Sequence, residues 1–195
     1  MGLLEKALKT GKKAVELEPT SIWSRFFVGQ VFFFQGKYAE ALKMFNSISE
    51  QFIPFYRFAF TSQTLFHLDR VEEAVDMLEQ GLLEYPTESL LNSSYAIILA
   101  SLGHQDQARE RVNLAIEHES ALMHVHHLYH NLAGASALMG QHKEAVEWLV
   151  KASENGLPCY PLFNHDPNLE SLKGRPDFMA FMLDLKKKWE YYKTL

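Results

Sequence analysis

Apolar residues recur along this chain at the spacing of an amphipathic helix. In the stretch "EALKMFNSI", Ala41, Phe45 and Ile48 stand at i, i+4 and i+7, which places them on one helical face. The same spacing returns in later stretches such as "EAVDMLEQG" and "EAVEWLVKA". Only 10 glycines and 7 prolines interrupt the 195 residues, whereas an all-β domain needs many tight turns. We therefore predict an all-α protein.

The helical pattern itself repeats with a period of about 34 residues. One alanine per unit serves as the anchor of the alignment, and the five anchors are Ala7, Ala41, Ala74, Ala108 and Ala145. Twelve residues before the last four anchors stand the small residues Gly29, Ser62, Ala96 and Ala133, and five residues before them stand the turn formers Gly36, Asp69, Gly103 and Gly140. Small residues let two helices approach closely, and a turn former lets the chain reverse between them. Each unit is therefore predicted to be an antiparallel helix hairpin.

This recurring order resembles the tetratricopeptide repeat family, whose unit of about 34 residues is a helix-turn-helix. Val28-Gly29, Phe32, Ala41, Phe45 and Pro54 match the family pattern best. The resemblance implies an α-solenoid of antiparallel helix hairpins, wound as a right-handed superhelix and closed by a C-terminal capping helix. We expect a single domain over residues 1–195, part of a longer protein, with a half repeat 1–20, repeats 21–54, 55–88, 89–122 and 123–158, and a capping segment 159–195.

The segment after the last repeat carries a second resemblance. The order Asp166-Pro167-Asn168-Leu169, Leu172, Pro176 and Phe178 resembles the segment that ends repeat arrays in many bacterial regulatory proteins. In those relatives the repeats follow a kinase, cyclase or winged-helix domain, so the resemblance implies a sensory or docking role. Further on, the apolar stripe from Phe178 to Trp189 predicts a helix that caps the last hairpin.

Charge and composition narrow the classes of function. The chain has 19 Lys and Arg against 24 Asp and Glu, so it lacks the basic footprint of a nucleic-acid-binding protein. Its single cysteine, Cys159, cannot form an internal disulfide, which favours a reducing compartment. No apolar run approaches the roughly 18 to 20 residues that a membrane span needs. We therefore expect a cytoplasmic protein with no nucleic-acid partner and no membrane contact.

The first helix of each unit lines a concave surface in the tetratricopeptide architecture. Carried onto this chain, the resemblance gives a candidate partner-binding groove formed by Trp23, Phe26, Gln30, Phe33, Phe34, Tyr56, Gln63, Phe66, His67, His127 and His130. Aromatic rings would form the floor for a peptide, and the two glutamines would hold its backbone. In the alternative reading, the same rings pack beneath a missing N-terminal repeat or a partner domain. Phe27 and Phe60 are expected to pack between neighbouring repeats.

The stretch "HESALMHVHHLYH" holds the residues that most resemble a chemical site. His126 and His130 share a helical face at i and i+4, which suits two metal ligands. No third ligand or H-E-x-x-H motif accompanies them, so we predict neither metal nor cofactor and leave groove or surface histidines as the preferred readings.

The sequence also lacks a glycine-rich phosphate loop and a nucleophile elbow. We therefore predict a non-catalytic scaffold that binds a protein or peptide partner. The alternative is the C-terminal regulatory region of a larger signalling enzyme or transcription regulator, of the kinase, cyclase or winged-helix kind. Partner identity and oligomeric state stay open.

Overall fold

The computed structural model describes residues 2–49, 54–119 and 124–195, and every regular element in these ranges is helical. The α-helices are α1 (Leu4–Leu17), α2 (Ile22–Phe34), α3 (Tyr38–Asn46), α4 (Pro54–Phe66), α5 (Val71–Glu84), α6 (Ser89–Ser101), α7 (Gln105–Glu117), α8 (Val125–Leu138), α9 (His142–Glu154), α10 (Tyr160–His165) and α11 (Pro176–Lys193). A 3-10 segment, Pro167–Leu172, joins α10 to α11. In the part of the chain that the structure describes, no helix is long and apolar enough to cross a membrane.

The chain divides into two compact units. The first unit spans residues 3–84 and contains α1 to α5, with α2 packed on α3 and α4 packed on α5. The second unit spans residues 85–195 together with Gly2, and in it α6 packs on α7 and α8 on α9. The predicted all-α fold of paired helices is therefore confirmed.

The predicted turn formers lie where the first helix of each pair ends. All four adopt a positive φ, with values of 71° at Gly36, 58° at Asp69, 82° at Gly103 and 75° at Gly140. Asp69 adopts a positive φ although it is not a glycine, since aspartate tolerates the left-handed region better than most residues. There the Arg70 backbone N–H donates to the Leu65 carbonyl at 3.0 Å, which satisfies a carbonyl at the end of α4. The chain reverses tightly and α5 returns along α4.

The anchor alanines lie at the centre of each hairpin. Ala41, Ala74, Ala108 and Ala145 are each 0% exposed. Opposite the first of them on α2, Gly29 lies so close to Phe45 that an added Cβ would stand 2.6 Å from the ring. The spacing of small residues in the sequence therefore reports a real constraint, because the two helices of a hairpin touch there.

The C-terminal helix α11 packs against α9 and α10. Its buried residues are Phe178, Met182 and Leu185, which form one stripe of the helix. Met179 and Leu183, on another face, are 57% and 56% exposed. A capping role for α11 stays a prediction.

Candidate functional site

The predicted groove residues fall into both units, nine in the first and two in the second, and each set is described by itself. In the first unit, α2 begins at the N-cap Ser21, whose hydroxyl accepts a hydrogen bond from the Ser24 backbone N–H at 3.4 Å. It ends at Phe34, just before the turn at Gly36. With thirteen residues, the helix presents different side chains to α1 and α3, and its rings Phe26 and Phe33 also contact Phe60 of α4.

Three of the predicted rings are buried rather than exposed on a groove. Phe26, Phe33 and Tyr56 are 3%, 6% and 8% exposed. The first two contact Phe60 of α4 edge-on, each with a ring-centroid distance of 5.7 Å. Phe26 also lies 5.8 Å from the ring of Phe45 in α3. These rings therefore form the packed interface between α2, α3 and α4.

The two predicted amides, Gln30 and Gln63, are also buried, at 6% exposure each. They belong to α2 and α4, at equivalent positions of successive hairpins. Only a small part of each residue reaches the surface.

Three other predicted residues lie at the C-terminal ends of α2 and α4 and are half-buried: Phe34, Phe66 and His67. We call these three residues the aromatic surface. Phe34 contacts Phe33 at 5.9 Å, Phe33 contacts His67 at 5.8 Å, and His67 contacts Phe66 at 5.9 Å. The ring of His67 also stacks on Tyr38 of α3, with centroids 4.4 Å apart and an angle of 15° between the planes. The half-buried rings are therefore held in place by contacts with one another and with neighbouring rings.

Trp23 lies at the other end of α2 and is 47% exposed. It stacks on Phe27 at 6.0 Å, one helical turn further on. Phe27 is itself 48% exposed, so the expectation that it packs between repeats was wrong, whereas Phe60 is 4% exposed as expected. The i, i+4 spacing of Trp23 and Phe27 was the sequence signal for this exposed aromatic pair.

In the second unit, His130 forms a buried pair with Asp166. The two side chains are 9% and 5% exposed, and Nε2 of His130 lies 2.8 Å from Oδ2 of Asp166. The other carboxylate oxygen accepts the backbone N–H of Asn168 at 2.9 Å, so Asp166 also caps the 3-10 segment. Phe163 stacks on the imidazole at 5.6 Å. Asp166 was visible in the sequence as an Asp-Pro turn, but its distance from His130 was not.

The pair belongs to a longer contact between α8 and the 3-10 segment. Besides the pair, an added Cβ on Gly134 would lie 3.4 Å from Cβ of Asn168. One turn later, the hydroxyl of Ser171 donates to the Ala137 carbonyl at 3.1 Å. Residues 130, 134 and 137 follow the i, i+4, i+7 pattern of one helical face. The chain's own segment therefore covers the face of α8 that was predicted to line the groove.

The remaining histidines cluster at the start of α8. His126 and His127 have ring centroids 4.3 Å apart, and Nδ1 of His126 donates to the Asn155 carbonyl at 3.1 Å. Burial lowers the pKa of His126, although its hydrogen bond to Asn155 partly opposes this. Burial, and then the neighbouring histidines, hold the pKa of His127 well below its usual value. Within the described ranges, no three His, Cys, Asp or Glu residues are grouped so as to hold a metal ion.

Two surface clefts of the second unit contain none of the predicted residues. One, of about 700 Å³, lies at the start of α9, where Nζ of Lys151 is 4.0 Å from the ring centre of Trp148. The other, of about 580 Å³, lies along α11 and is lined by Met179 and Leu183. Both clefts are widely open to solvent.

The paired helices, their positive-φ turns and their buried anchor alanines define a helical-repeat protein. Residues 126–154, most of α8 and α9, match the tetratricopeptide repeat family. The chain therefore carries a tetratricopeptide repeat, and the predicted resemblance to this family is confirmed.

Solved structures extend this fold over the chain. A thermophilic TPR protein from Thermus thermophilus aligns with 98% of this chain and 91% of its own, at 17% identity and a TM-score of 0.61. The APC/C hetero-tetramer Cut9–Hcn1 aligns with 94% of this chain and 39% of its own, at 11% identity and a TM-score of 0.60. At these identities the similarity shows the fold alone. A comparison with curated proteins gave no significant match.

Proposed function

We propose that the chain is a non-catalytic protein-interaction scaffold that binds a partner segment on the aromatic surface of its first unit. The observation that carries the proposal is the set of half-buried rings, Phe34, Phe66 and His67, held by a buried aromatic cluster. Helical-repeat proteins use extended surfaces built from successive repeats to bind other proteins. The two helices that supply these rings belong to successive repeats.

Pre-positioned rings are good binding residues because little freedom is left to lose. His67 contacts the rings of both Tyr38 and Phe33, which restrict its orientation before any partner arrives. Rings that are already held in one position contribute contact area at low entropic cost, and such residues dominate binding energies.

The length of α2 suggests the size of the bound segment. Trp23 and Phe34 are separated by eleven residues, or about 16 Å along a helix axis. An extended peptide covers this length with about five residues at roughly 3.3 Å each. We therefore propose a short extended segment with apolar side chains at its two ends, one against Trp23 and one against Phe34. His130 is left out of the proposal because its side chain already pairs with that of Asp166.

The test compares partner capture by the wild type with capture by a Phe34→Ala/Phe66→Ala variant. Both rings are half-buried, so the variant should keep its helical content by circular dichroism. A Met179→Ala/Leu183→Ala variant is the matched control, because it removes two exposed apolar side chains from the second unit. We expect the wild type and the control to retain the same partner and the Phe34/Phe66 variant to lose it.

The contribution of the two rings to binding is then measured as the change in Kd for the captured partner. Removal of a central aromatic contact typically costs about 2 kcal/mol, or roughly a 30-fold rise in Kd. Equal affinity of all three proteins for the captured partner would refute the assignment of the aromatic surface. Variants of Phe26 or Phe33 are unsuitable here, because these rings are buried and their loss would weaken the fold itself.

A further inference from the structure

The turn that follows α9 contains the only Asn-Gly pair in the sequence, Asn155-Gly156. Asn155 is the C-cap residue of α9, and Gly156 has a φ of 117°, in the region that favours glycine. Both residues are exposed. An exposed Asn-Gly turn places a carboxamide next to a backbone nitrogen that no Cβ shields. In this arrangement the side chain of an asparagine can react with its own backbone.

The nitrogen that would react, the backbone N of Gly156, is held by a long hydrogen bond. Its N–H donates to the Ser153 carbonyl at 3.5 Å, beyond the usual range of about 2.7 to 3.2 Å. The next N–H, that of Leu157, donates to the Ala152 carbonyl at 2.9 Å. The backbone N–H of Gly156 is therefore held less firmly than that of the residue after it.

The side chain of Asn155 is restrained by one hydrogen bond. Its Nδ2 donates to the Lys151 carbonyl at 2.8 Å, on the exposed end of α9. Since Asn155 has a ψ of 16°, both the carboxamide and the peptide must rotate before they can meet. Water can replace a single hydrogen bond on the surface, and the ends of helices fray. The turn therefore reaches the reactive conformation without unfolding of the hairpin.

Two other asparagines precede a small residue, and the structure protects both of them better. Asn92, before Ser93, lies inside α6 and is 0% exposed. Asn46, before Ser47, is exposed but belongs to α3, and the Ser47 N–H donates to a carbonyl of that helix at 3.0 Å. Neither is followed by glycine. Asn155 is therefore distinguished from both by its sequence and by its place in the fold.

We propose that Asn155-Gly156 is a site of spontaneous deamidation. The backbone nitrogen of Gly156 gives up its proton to water and bonds to Cγ of Asn155. The bond from Cγ to Nδ2 breaks, and this nitrogen takes up a proton and leaves as ammonia. The product is a five-membered succinimide ring, which water opens at either of its two carbonyl groups to give aspartate or isoaspartate. Overall, one water is consumed and one ammonia is released.

The reaction would alter the contact between this turn and the start of α8. Nδ1 of His126 donates to the Asn155 carbonyl at 3.1 Å and lies 3.2 Å from the place where a Cβ on Gly156 would stand. Isoaspartate lengthens the main chain by one methylene group at this point. Either product also places a negative charge at the C-terminal end of α9, where the helix dipole disfavours it. The modified turn would therefore lose its close fit to His126.

This inference is independent of the proposed function. Asn155 and Gly156 belong to the second unit, whereas Phe34, Phe66 and His67 belong to the first. Partner capture and deamidation are measured separately. The two proposals can therefore fail separately.

The test follows the folded wild type during incubation at neutral pH and physiological temperature. Rapid digestion at mildly acidic pH and mass spectrometry then measure acid at positions 46, 92 and 155, and chromatography separates isoaspartate from aspartate. Asn155 should convert at least about ten times faster than Asn46 or Asn92, because only its side chain and backbone can meet. Both aspartate and isoaspartate should form, and the rate should rise with pH because the attacking nitrogen must lose its proton.

Asn155→Gln is the matched control. It keeps an amide at this exposed position, but its ring would have six members and form more slowly, so no acid should appear at position 155 on the same timescale. Hydrogen exchange of incubated protein should be faster in the first turn of α8 for the wild type and unchanged for Asn155→Gln. Wild type unfolded in urea is the positive control for the chemistry.

Four outcomes would overturn the proposal in whole or in part. A folded wild type that stays unmodified while the unfolded chain converts would show that the turn is protected. Equal conversion at positions 46 and 155 would remove the structural argument. Aspartate without isoaspartate would exclude the succinimide. Unchanged hydrogen exchange in the modified protein would refute the effect on α8.

Discussion

Replacement of Gly29 by alanine tests whether helix packing at the small-residue position limits the sequence. An added Cβ would lie 2.6 Å and 2.9 Å from two carbon atoms of the Phe45 ring. The ring cannot move away easily, because it is 1% exposed and lies 5.8 Å from Phe26 and 6.0 Å from Phe60. The new methyl group must therefore push α2 and α3 apart.

Two opposing free energies decide the result. Alanine gains about 1 kcal/mol over glycine inside a helix, while overpacking of a core costs about 1 to 3 kcal/mol. Gly29→Ala should therefore lower the free energy of unfolding by up to about 2 kcal/mol. Gly134→Ala is the matched control, because its Cβ would meet Asn168 at an ordinary 3.4 Å. The free energy of unfolding of the Gly134→Ala variant should rise by up to about 1 kcal/mol.

Thermal unfolding followed by circular dichroism measures the difference. For a chain of this size, 1 kcal/mol shifts the melting temperature by roughly 2 to 4 °C. Gly29→Ala should therefore melt below the wild type, and Gly134→Ala at or above it. A Gly29→Ala variant as stable as Gly134→Ala would show that α2 and α3 have room for a methyl group, and the close-packing explanation of the repeat would be wrong.

Three further predictions concern the buried rings, the histidines and the cysteine. Phe60→Ala should cost about 3 to 5 kcal/mol in chemical denaturation, whereas the half-exposed Phe27→Ala should cost less than about 1 kcal/mol. Burial holds the pKa of His127 well below its usual value. As the pH falls, its imidazole is therefore protonated in the unfolded chain before it is protonated in the folded chain. Stability should therefore fall below pH about 6.5, and His127→Gln should flatten the fall. Burial raises the pKa of the Cys159 thiol, so a thiol reagent should react with it only after unfolding, as a time course in urea would show.

Local chemistry made the hairpins predictable from sequence. A turn needs a residue that tolerates positive φ, and a close helix contact needs a small side chain, so both leave marks at fixed positions. Asp69 shows how far this holds, since its place in the repeat identified a left-handed turn residue that is not glycine, and its φ is 58°. The sequence therefore determined which residues would be turns and which would be helix contacts.

The exposure of individual aromatics was not predictable in the same way. Phe33 and Phe34 are adjacent on α2, yet Phe33 is 6% exposed and Phe34 is half-buried. Helical geometry separates their directions by about 100°, but only the position of α4 decides which direction is covered. Phe27 makes the same point, because its repeat position is an interface wherever a first helix precedes it. The burial of a ring depends on which helices lie beside it, and the repeat pattern alone does not show this.

The face of α8 shows why a groove cannot be assigned from repeat position alone. His130 stands at a position that faces a partner in the tetratricopeptide architecture, but here it pairs with Asp166, thirty-six residues further along the chain. The same segment then covers Gly134 and bonds to Ala137. A buried hydrogen bond between two side chains, with two further contacts along one helical face, is costly to displace, since separation would leave buried polar groups without their partner. Binding at the aromatic surface of the first unit would need no such displacement, which is why we propose the partner site there.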